Sequence, residues 1–256
     1  MTTPMINPLA SQLQGKVYLV GSGIGNADYL TCRAYQTLQH ADVVIYDALT
    51  DSALLELLPD HCERLDVGKR GGQPSTPQAE INRLLVHHAQ QEKKVVRLKS
   101  GDPFIFGRCT SEIEALRAAN CSYEVIPGLS SALAAPLLTG IPLTDPVLSQ
   151  GFVVISAHTP ETLNWEALAQ IDTLVILMGT RHLESITASL MDQGRSPQTP
   201  IAVIRWAGHP QQQLWIATLE SIVQKTARQT LSPAVIVVGA VVGLRPFIHP
   251  AIPLDN

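Results

Sequence analysis

A run of apolar and β-branched residues followed by a glycine-containing turn most constrains the fold of this 256-residue chain. Residues 95–98 are typical of a buried parallel strand. The turn that follows contains Gly101 and Asp102, and a helical pattern begins near Glu112. Glycine lets the backbone approach a ligand closely, and ligands of open α/β sheets bind beyond the carboxyl ends of the strands. The segment therefore predicts a strand, a ligand-binding turn and a helix in succession.

The same alternation of strand and helix patterns runs along most of the chain. The strands predicted in the first half are 17–20, 42–46, 64–67, 94–98 and 123–126. Those predicted in the second half are 151–155, 173–177, 200–204, 211–219 and 234–238. Such alternation with short links predicts an α/β protein whose sheets are mostly parallel or mixed and are covered by helices.

A change in composition divides the predicted elements into two groups. Residues 128–150 are rich in Gly, Pro, Ser and Thr and lie between the two alternating regions. We therefore predict an N-terminal α/β domain at 15–127, a linking region at 128–150 and a C-terminal α/β domain at 151–246.

Charge, hydropathy and cysteine spacing exclude several classes of protein. The formal net charge of −4 argues against a nucleic-acid binder that acts through bulk charge. The longest apolar run, 234–244, is too short to cross a bilayer, and residues 1–14 lack the pattern of a signal peptide. The four cysteines form no C-x-x-C pair and have no histidine at metal-ligand spacing. We expect a cytoplasmic protein that binds no metal, membrane or nucleic acid.

The first glycine-rich turn, residues 21–26, offers a dinucleotide-binding alternative. The fingerprint of that site requires a third glycine where Asn26 stands. Asp47 has the spacing of the acidic residue that such sites place about 20 positions further on. Because the third glycine is absent, an NAD-dependent enzyme is the least favoured interpretation.

Four segments, taken in order, resemble the tetrapyrrole methylases, which use S-adenosylmethionine. They are residues 67–82, the turn at 99–108, residues 125–132, which include Pro127-Gly128-Leu129-Ser130-Ser131, and residues 140–144. The resemblance covers nearly the whole chain, from about residue 15 to about residue 245. It implies two α/β domains with an active-site cleft between them, S-adenosylmethionine as cofactor with S-adenosylhomocysteine as its product, a tetrapyrrole substrate, no metal, and a homodimer.

The resemblance also implies which residues contact the cofactor. Ser100, Gly101 and Asp102 stand where the family holds the methionine part of the cofactor, although Ser100 replaces a glycine. The other implied cofactor contacts are Ile24, Ile105, Ser130, Ser131, Met178 and Ala207. Ile24 stands in place of a proline, and Ala207 in place of a residue that is usually glycine.

Substrate binding and catalysis are implied at a second set of residues. Asp47 is the candidate acceptor for the pyrrole N–H groups, and Arg108 is the candidate clamp for a substrate carboxylate and a partner in proton transfer. The other implied substrate contacts are Lys69, Arg70 and Met178. Because the implied substrate carries eight carboxylates, we also expect Arg97 and Lys99 to concentrate positive charge near it.

The reaction implied by the resemblance is the methylation of uroporphyrinogen III at two carbons, which gives precorrin-2 for sirohaem or cobalamin synthesis. Departures from the family pattern at Ile24, Ala48, Ser111 and Pro146 bear on whether the chain is active. Two alternatives therefore remain open. One is a methylase for another tetrapyrrole precursor, and the other is a noncatalytic paralogue that binds S-adenosylmethionine.

Overall fold

The structure is a computed structural model that describes residues 15–68 and 76–248. The chain divides into two compact units, Met1–Ser130 and Ser131–Asn256. Each unit has one five-stranded sheet accompanied by helices, which confirms the predicted α/β class.

The described residues of the first unit form a parallel sheet and four α-helices. Its strands are β1 (Lys16–Gly21), β2 (Val43–Tyr46), β3 (Glu63–Asp66), β4 (Val95–Lys99) and β5 (Ser122–Ile126). Its helices are α1 (Cys32–Leu38), α2 (Ser52–Leu55), α3 (Gln78–Gln90) and α4 (Cys109–Ala118). The strand order is β3-β2-β4-β1-β5, and every pairing is parallel.

Both faces of this first sheet are buried, which explains its continuous apolar strands. Side chains alternate along a strand, so Tyr18 and Val20 face one layer of helices while Val17 and Leu19 face the other. Tyr18 and Val20 pack with α1 and α2, whereas Val17 and Leu19 pack with α3 and α4. Parallel strands covered on both sides place all their carboxyl ends at one edge of the sheet.

The second unit contains a mixed sheet. Its strands are β6 (Phe152–Ser156), β7 (Thr173–Leu177), β8 (Pro200–Arg205), β9 (Gln213–Thr218) and β10 (Ala234–Val238). Its helices are α5 (Ser131–Leu138), α6 (Trp165–Ala169), α7 (Leu183–Asp192), α8 (Ile222–Thr226) and α9 (Arg245–Ile248). In the order β6-β7-β10-β8-β9, only β6 and β7 pair in parallel, and the other three pairings are antiparallel.

Helix α5 packs against the second sheet. Ala132 and Ala135 are buried in the same apolar cluster as Val175 of β7 and Val237 of β10. The region 128–150 therefore divides between the units: its first three residues lie in the first unit, and the rest lies in the second.

The helices in the described parts of the chain are short. The longest is α3, with 13 residues. Within residues 15–68 and 76–248, no helix has both the length and the apolar character needed to cross a bilayer.

Candidate active site

Three glycines meet where neighbouring strands of the first sheet end. Because β1 lies between β4 and β5 and all three run parallel, their carboxyl ends lie at one edge. A Cβ atom on Gly128 would lie 2.2 Å from the Gly101 carbonyl oxygen, and one on Gly21 would lie 2.6 Å from the same oxygen. Only glycine permits such an approach of backbone to backbone. The three loop ends form a narrow cradle at the position where parallel sheets bind ligands.

Backbone hydrogen bonds join the turn after β1 to the turn after β4. The Gly101 N–H donates to the Gly23 carbonyl at 2.8 Å, and the Gly23 N–H donates to the Gly101 carbonyl at 3.2 Å. Both glycines have positive φ, +67° at Gly23 and +70° at Gly101. Ile24 lies half-buried between Gly23 and Gly25, so this turn forms although the family's proline is replaced.

The Asp102 carboxylate ties two of these loops together. Its Oδ1 accepts a hydrogen bond from the Phe104 N–H at 2.8 Å, and its Oδ2 accepts one from the Gly128 N–H at 3.2 Å. A carboxylate held by two backbone donors keeps lone pairs for further donors. Asp102 can therefore shape the cradle and also receive the ammonium group of a ligand.

Ser100 provides an unsatisfied polar group beside the cradle. Its Oγ is buried and has no hydrogen-bond partner in the described part of the chain. Ser100 is not among the residues with positive φ, so the replacement of a glycine there causes no backbone strain. Buried hydroxyls normally have a partner, which a ligand carrying amino and carboxylate groups would supply. The turn from Ser100 to Asp102 fits the amino-acid end of S-adenosylmethionine.

The loop that connects this turn to α4 is exposed and strained. Phe104 is 63% exposed, and Ile105 and Phe106 are also exposed. Phe106 and Arg108 both have φ of +54°, which costs about 1–2 kcal/mol for a residue with a side chain. Arg108 is exposed and makes no hydrogen bond or ion pair with any described residue. Next to the cradle, the loop thus exposes apolar side chains and the Arg108 cation, which has no partner among the described residues.

Asp47 follows β2 at the same edge of the first sheet. The Nη2 group of Arg97 donates a hydrogen bond to its Oδ1. The Asp47 side chain is 34% exposed, whereas that of Arg97 is 2% exposed. Within the described residues, the Oδ2 atom of Asp47 accepts no hydrogen bond. The partly exposed Asp47 side chain is therefore bonded to the buried cation of Arg97, and its Oδ2 atom is available to N–H donors.

Arg97 and Lys99 do not form the cation cluster that the sequence led us to expect near a substrate. Their side chains are 2% and 3% exposed, and both donate to the buried carboxylate of Glu112. Burial by itself would lower the pKa of Arg97, but the charges of Asp47 and Glu112 raise it. These two cations are neutralised inside the unit. The remaining cations of the predicted set are Arg108, described above, and Lys69 and Arg70, which lie outside the described residues.

Glu112 was missed as a member of the site, although the sequence carried a signal for it. Cations on a strand buried on both faces need an anion within the core. Arg97 and Lys99 point to the same face of β4 because their positions differ by two. Helix α4 covers that face and contributes Glu112. Alternating cations within an apolar run would have predicted an acidic partner on the following helix.

Two departures from the family pattern have local structural partners. The Asn82 side chain donates to the Ser111 Oγ at 3.0 Å and to its carbonyl at 3.2 Å, linking α3 to α4. Near Pro146, the Asp145 Oδ1 accepts from the N–H groups of Val147 and Leu148, both at 2.9 Å. Ser111 and the turn at Pro146 are therefore parts of well-bonded local structure.

Ser130 and Ser131 stand at the boundary between the two units. Ser130 is buried, and Ser131 is half-buried as the first residue of α5. Ser130 thus lies in the segment between β5 and α5, and Ser131 begins α5.

Met178 and Ala207 lie at one edge of the sheet in the second unit. Strands β7 and β8 both run antiparallel to β10, so Met178 and Ala207 follow strand ends at the same edge. Met178 is 48% exposed, so its side chain does not belong to the hydrophobic core, and its φ is +57°. Ala207 is half-buried and packs against the core of this unit.

The described residues contain neither a metal-binding cluster nor a reactive thiol near the cradle. No group of three or more His, Cys, Asp or Glu side chains within them is placed to hold a metal ion. Cys109, at the start of α4, is buried, and burial raises the pKa of its thiol to about 11.

Comparison with known proteins gives a consistent result. A family model described as Tetrapyrrole (Corrin/Porphyrin) Methylases matches residues 16–223. A curated uroporphyrinogen-III C-methyltransferase from Synechococcus elongatus is 59% identical over 235 residues, which cover 92% of this chain and 97% of that protein. Siroheme synthase 1 from Pectobacterium atrosepticum is 42% identical over 97% of this chain, which spans about half (54%) of the relative's length.

A solved structure resembles the chain over a similar range. It is the uroporphyrin-III C-methyl transferase from Thermus thermophilus complexed with S-adenyl homocysteine. The TM-score is 0.78 at 36% sequence identity, and the match covers 90% of this chain and 99% of the other. The similarity thus extends through both units.

Proposed function

This chain belongs to the tetrapyrrole (corrin/porphyrin) methylases, and we propose that it converts uroporphyrinogen III to precorrin-2 by two S-adenosylmethionine-dependent C-methylations. The observation that carries the proposal is the glycine cradle at the edge of the first sheet, with Asp102 and the unpartnered Ser100 hydroxyl beside it. The 59% identity to a uroporphyrinogen-III C-methyltransferase supports this choice of substrate.

The cradle is proposed to hold the amino-acid end of the cofactor. Asp102 receives its ammonium group, while Ser100 and the backbone of Gly101 bind its other polar atoms. Ile24, Ile105, Met178 and Ala207 are proposed to provide apolar contacts, and Ser130 and Ser131 to supply hydroxyl groups. The bound cofactor supplies a methyl group on a sulfonium, whose departure as a neutral thioether requires no metal. The protein's contribution is chiefly to align the reacting atoms.

Asp47 and Arg108 are proposed as the catalytic and substrate-binding pair. The free oxygen of Asp47 accepts pyrrole N–H groups, which raises electron density on the ring carbon that attacks the methyl group. Arg108 lacks a partner among the described residues and binds a substrate carboxylate with its planar fork. Lys69, Arg70 and Met178 complete the proposed substrate contacts.

The cellular setting of this activity is part of the proposal. Precorrin-2 is the product expected to enter sirohaem or cobalamin synthesis, and similarity to siroheme synthases supports the first route. We propose that the protein works in the cytoplasm as a homodimer, with the two units as its domains.

The test is anaerobic incubation of the full chain with S-adenosylmethionine and uroporphyrinogen III, followed by product mass and absorbance. A mass gain of two methyl groups is expected, and Asp47→Asn should reduce the rate by about 100-fold or more. Methylation only of another tetrapyrrole would assign a different substrate. Cofactor binding without methylation of either compound would identify a noncatalytic paralogue and overturn the proposal.

A further inference from the structure

A buried charged cluster lies beneath Asp47, and we call Arg97, Lys99 and Glu112 the Glu112 cluster. The Glu112 side chain is fully buried. Its Oε1 atom accepts from the Arg97 Nε at 3.0 Å and from the Lys99 Nζ at 2.8 Å. Gln78 of α3 adds a longer contact to the same oxygen, at 3.4 Å. A single carboxylate oxygen thus holds two cations in place.

Burying the charges of the Glu112 cluster carries a large desolvation cost, so the cluster is an inefficient way to stabilise the fold. The second oxygen of Glu112, Oε2, is buried and has no hydrogen-bond partner in the described residues. Replacement of buried ion clusters by apolar residues of similar volume is often neutral or stabilising. An unsatisfied buried carboxylate oxygen in such a cluster calls for an explanation other than stability.

Among the described residues, Arg97 is the member of the cluster that contacts Asp47. Its Nη1 group donates to the carbonyls of Ile45 in β2 and Leu98 in β4, both at 3.3 Å. Its Nη2 group donates to Asp47, and its Nε to Glu112. The guanidinium plane is therefore fixed by one carboxylate on its buried side and by two strands at its edge.

We propose that Glu112 is a positioning residue for methyl transfer, which acts through Arg97 to orient Asp47 toward the substrate. This inference rests on the proposed function, since the role of Asp47 is part of it. Asp47 and Glu112 balance the charges of Arg97 and Lys99. Without the negative charge of Glu112, the hydrogen bond that fixes the guanidinium plane of Arg97 is weakened, and Lys99 loses the carboxylate with which it pairs. Asp47 then occupies several orientations, of which only one suits the pyrrole N–H groups.

The experiment is a double-mutant cycle between Glu112→Gln and Asp47→Asn, measured by steady-state kinetics with uroporphyrinogen III. Glu112→Gln alone should lower kcat/KM for uroporphyrinogen by about 10- to 100-fold, with KM for S-adenosylmethionine unchanged. In the Asp47→Asn background it should change kcat/KM by less than about threefold, because residues that act in series are not additive. Arg97→Lys keeps the charge but lacks the planar fork that fixes the directions of the bonds to Asp47 and Glu112, and should reproduce the loss.

A matched control is Glu124→Gln. Glu124 of β5 also binds two cations, Lys16 at 2.9 Å and Arg33 at 2.8 Å, but contacts neither Asp47 nor Arg97. Its loss should leave kcat/KM unchanged. Urea unfolding of all variants distinguishes a variant that fails to fold from one that folds but positions Asp47 poorly. A coupling between Glu112 and Asp47 in the free energy of unfolding would show their connection independently of methyl transfer.

The outcomes separate the two proposals. Equal losses from Glu112→Gln in both backgrounds, or an equal loss from Glu124→Gln, would overturn the positioning role while wild-type methylation still supports the function. If the wild type methylates no uroporphyrinogen, the proposed function fails and the positioning role fails with it, whatever the unfolding data show.

Discussion

The backbone N–H of Gly128 donates a hydrogen bond to the Asp102 carboxylate over 3.2 Å, which joins the loops that follow β4 and β5. Those strands are not neighbours, since β1 lies between them. The bond therefore spans the end of β1, where Gly21 allows both loops to approach. A contact that crosses a strand in this way draws the loops after β4 and β5 together over the end of β1.

The close approach of these loops predicts the effect of Gly128→Ala. The new Cβ atom would lie 2.2 Å from the Gly101 carbonyl oxygen, so the cradle must open. We expect a loss of about 1–3 kcal/mol in unfolding free energy, by overpacking, and at least a tenfold weaker binding of S-adenosylmethionine in calorimetry. Gly151→Ala is the control, because nothing lies within 4 Å of its Cβ position. Unchanged cofactor affinity in Gly128→Ala would place the cofactor elsewhere.

The left-handed backbone of Met178 predicts that stability and activity change in opposite directions in Met178→Gly. Relief of φ +57° should offset the greater chain entropy of glycine and raise unfolding free energy by up to about 1 kcal/mol. Loss of the side chain should reduce methyl transfer. Glu92→Gly relieves a similar φ of +58° in an exposed turn outside the proposed site. It should gain stability without losing activity, and equal activity in both variants would remove Met178 from the site.

The uncommitted charge of Arg108 predicts a salt-dependent role in substrate binding. Arg108→Gln should raise KM for uroporphyrinogen by about tenfold, because a charged hydrogen bond to a carboxylate is lost. The increase of KM with salt should also become weaker than in the wild type. Arg117→Gln removes an exposed cation near the other end of α4 and should change neither quantity. The same KM in both variants would argue against a clamp at Arg108.

The ion pairs of Glu124 predict part of the acid sensitivity of the fold. Burial by itself would raise the pKa of Glu124, but hydrogen bonds and charge from Lys16 and Arg33 lower it below the usual 4.5. A lowered pKa in the folded state stabilises the fold above the unfolded pKa, and this contribution disappears as pH falls through the folded value. The deficit of Glu124→Gln in urea unfolding should therefore be largest near neutral pH and shrink below about pH 4.

The control for this pH dependence is the exposed carboxylate of Glu80. Arg83 also lowers its pKa, chiefly by a hydrogen bond, but the pair lies in solvent. Solvent screening should leave Glu80→Gln with little effect at any pH. If the loss of unfolding free energy in Glu124→Gln stays constant across the pH range, the ion pairs of Glu124 do not contribute to the acid sensitivity of the fold.

The first sheet could be predicted from the sequence more fully than the second. Continuous apolar runs such as Val95 and Val96 indicate strands buried on both faces, and these pair in parallel when helices connect them. The antiparallel pairings of β8, β9 and β10 depend on the path of the segments that connect these strands. The periodicity of apolar residues along the sequence does not reveal that path. Strand existence depends on local residues, whereas strand direction depends on how the chain returns to the sheet.

The candidate site was predictable where it depends on turns and not where it depends on buried charge. Gly101 and Asp102 mark the turn of the candidate site from local chemistry alone, and the structure places this turn at the carboxyl end of β4. The pairing of Arg97 and Lys99 with Glu112 depends on the contact between β4 and α4, which composition cannot show. For that reason the two cations were expected at the substrate, whereas the structure neutralises them beneath Asp47.

The measurement that tests the account most directly uses S-adenosylmethionine labelled with carbon-13 in its methyl group. The full chain is incubated anaerobically with this cofactor and uroporphyrinogen III, and the product is examined by carbon-13 NMR. We predict two labelled methyl signals on ring carbons of one tetrapyrrole, lost together in Asp47→Asn. Label attached to nitrogen or oxygen, or no transferred label in a preparation that binds the cofactor, would contradict the assignment of this chain as a C-methyltransferase.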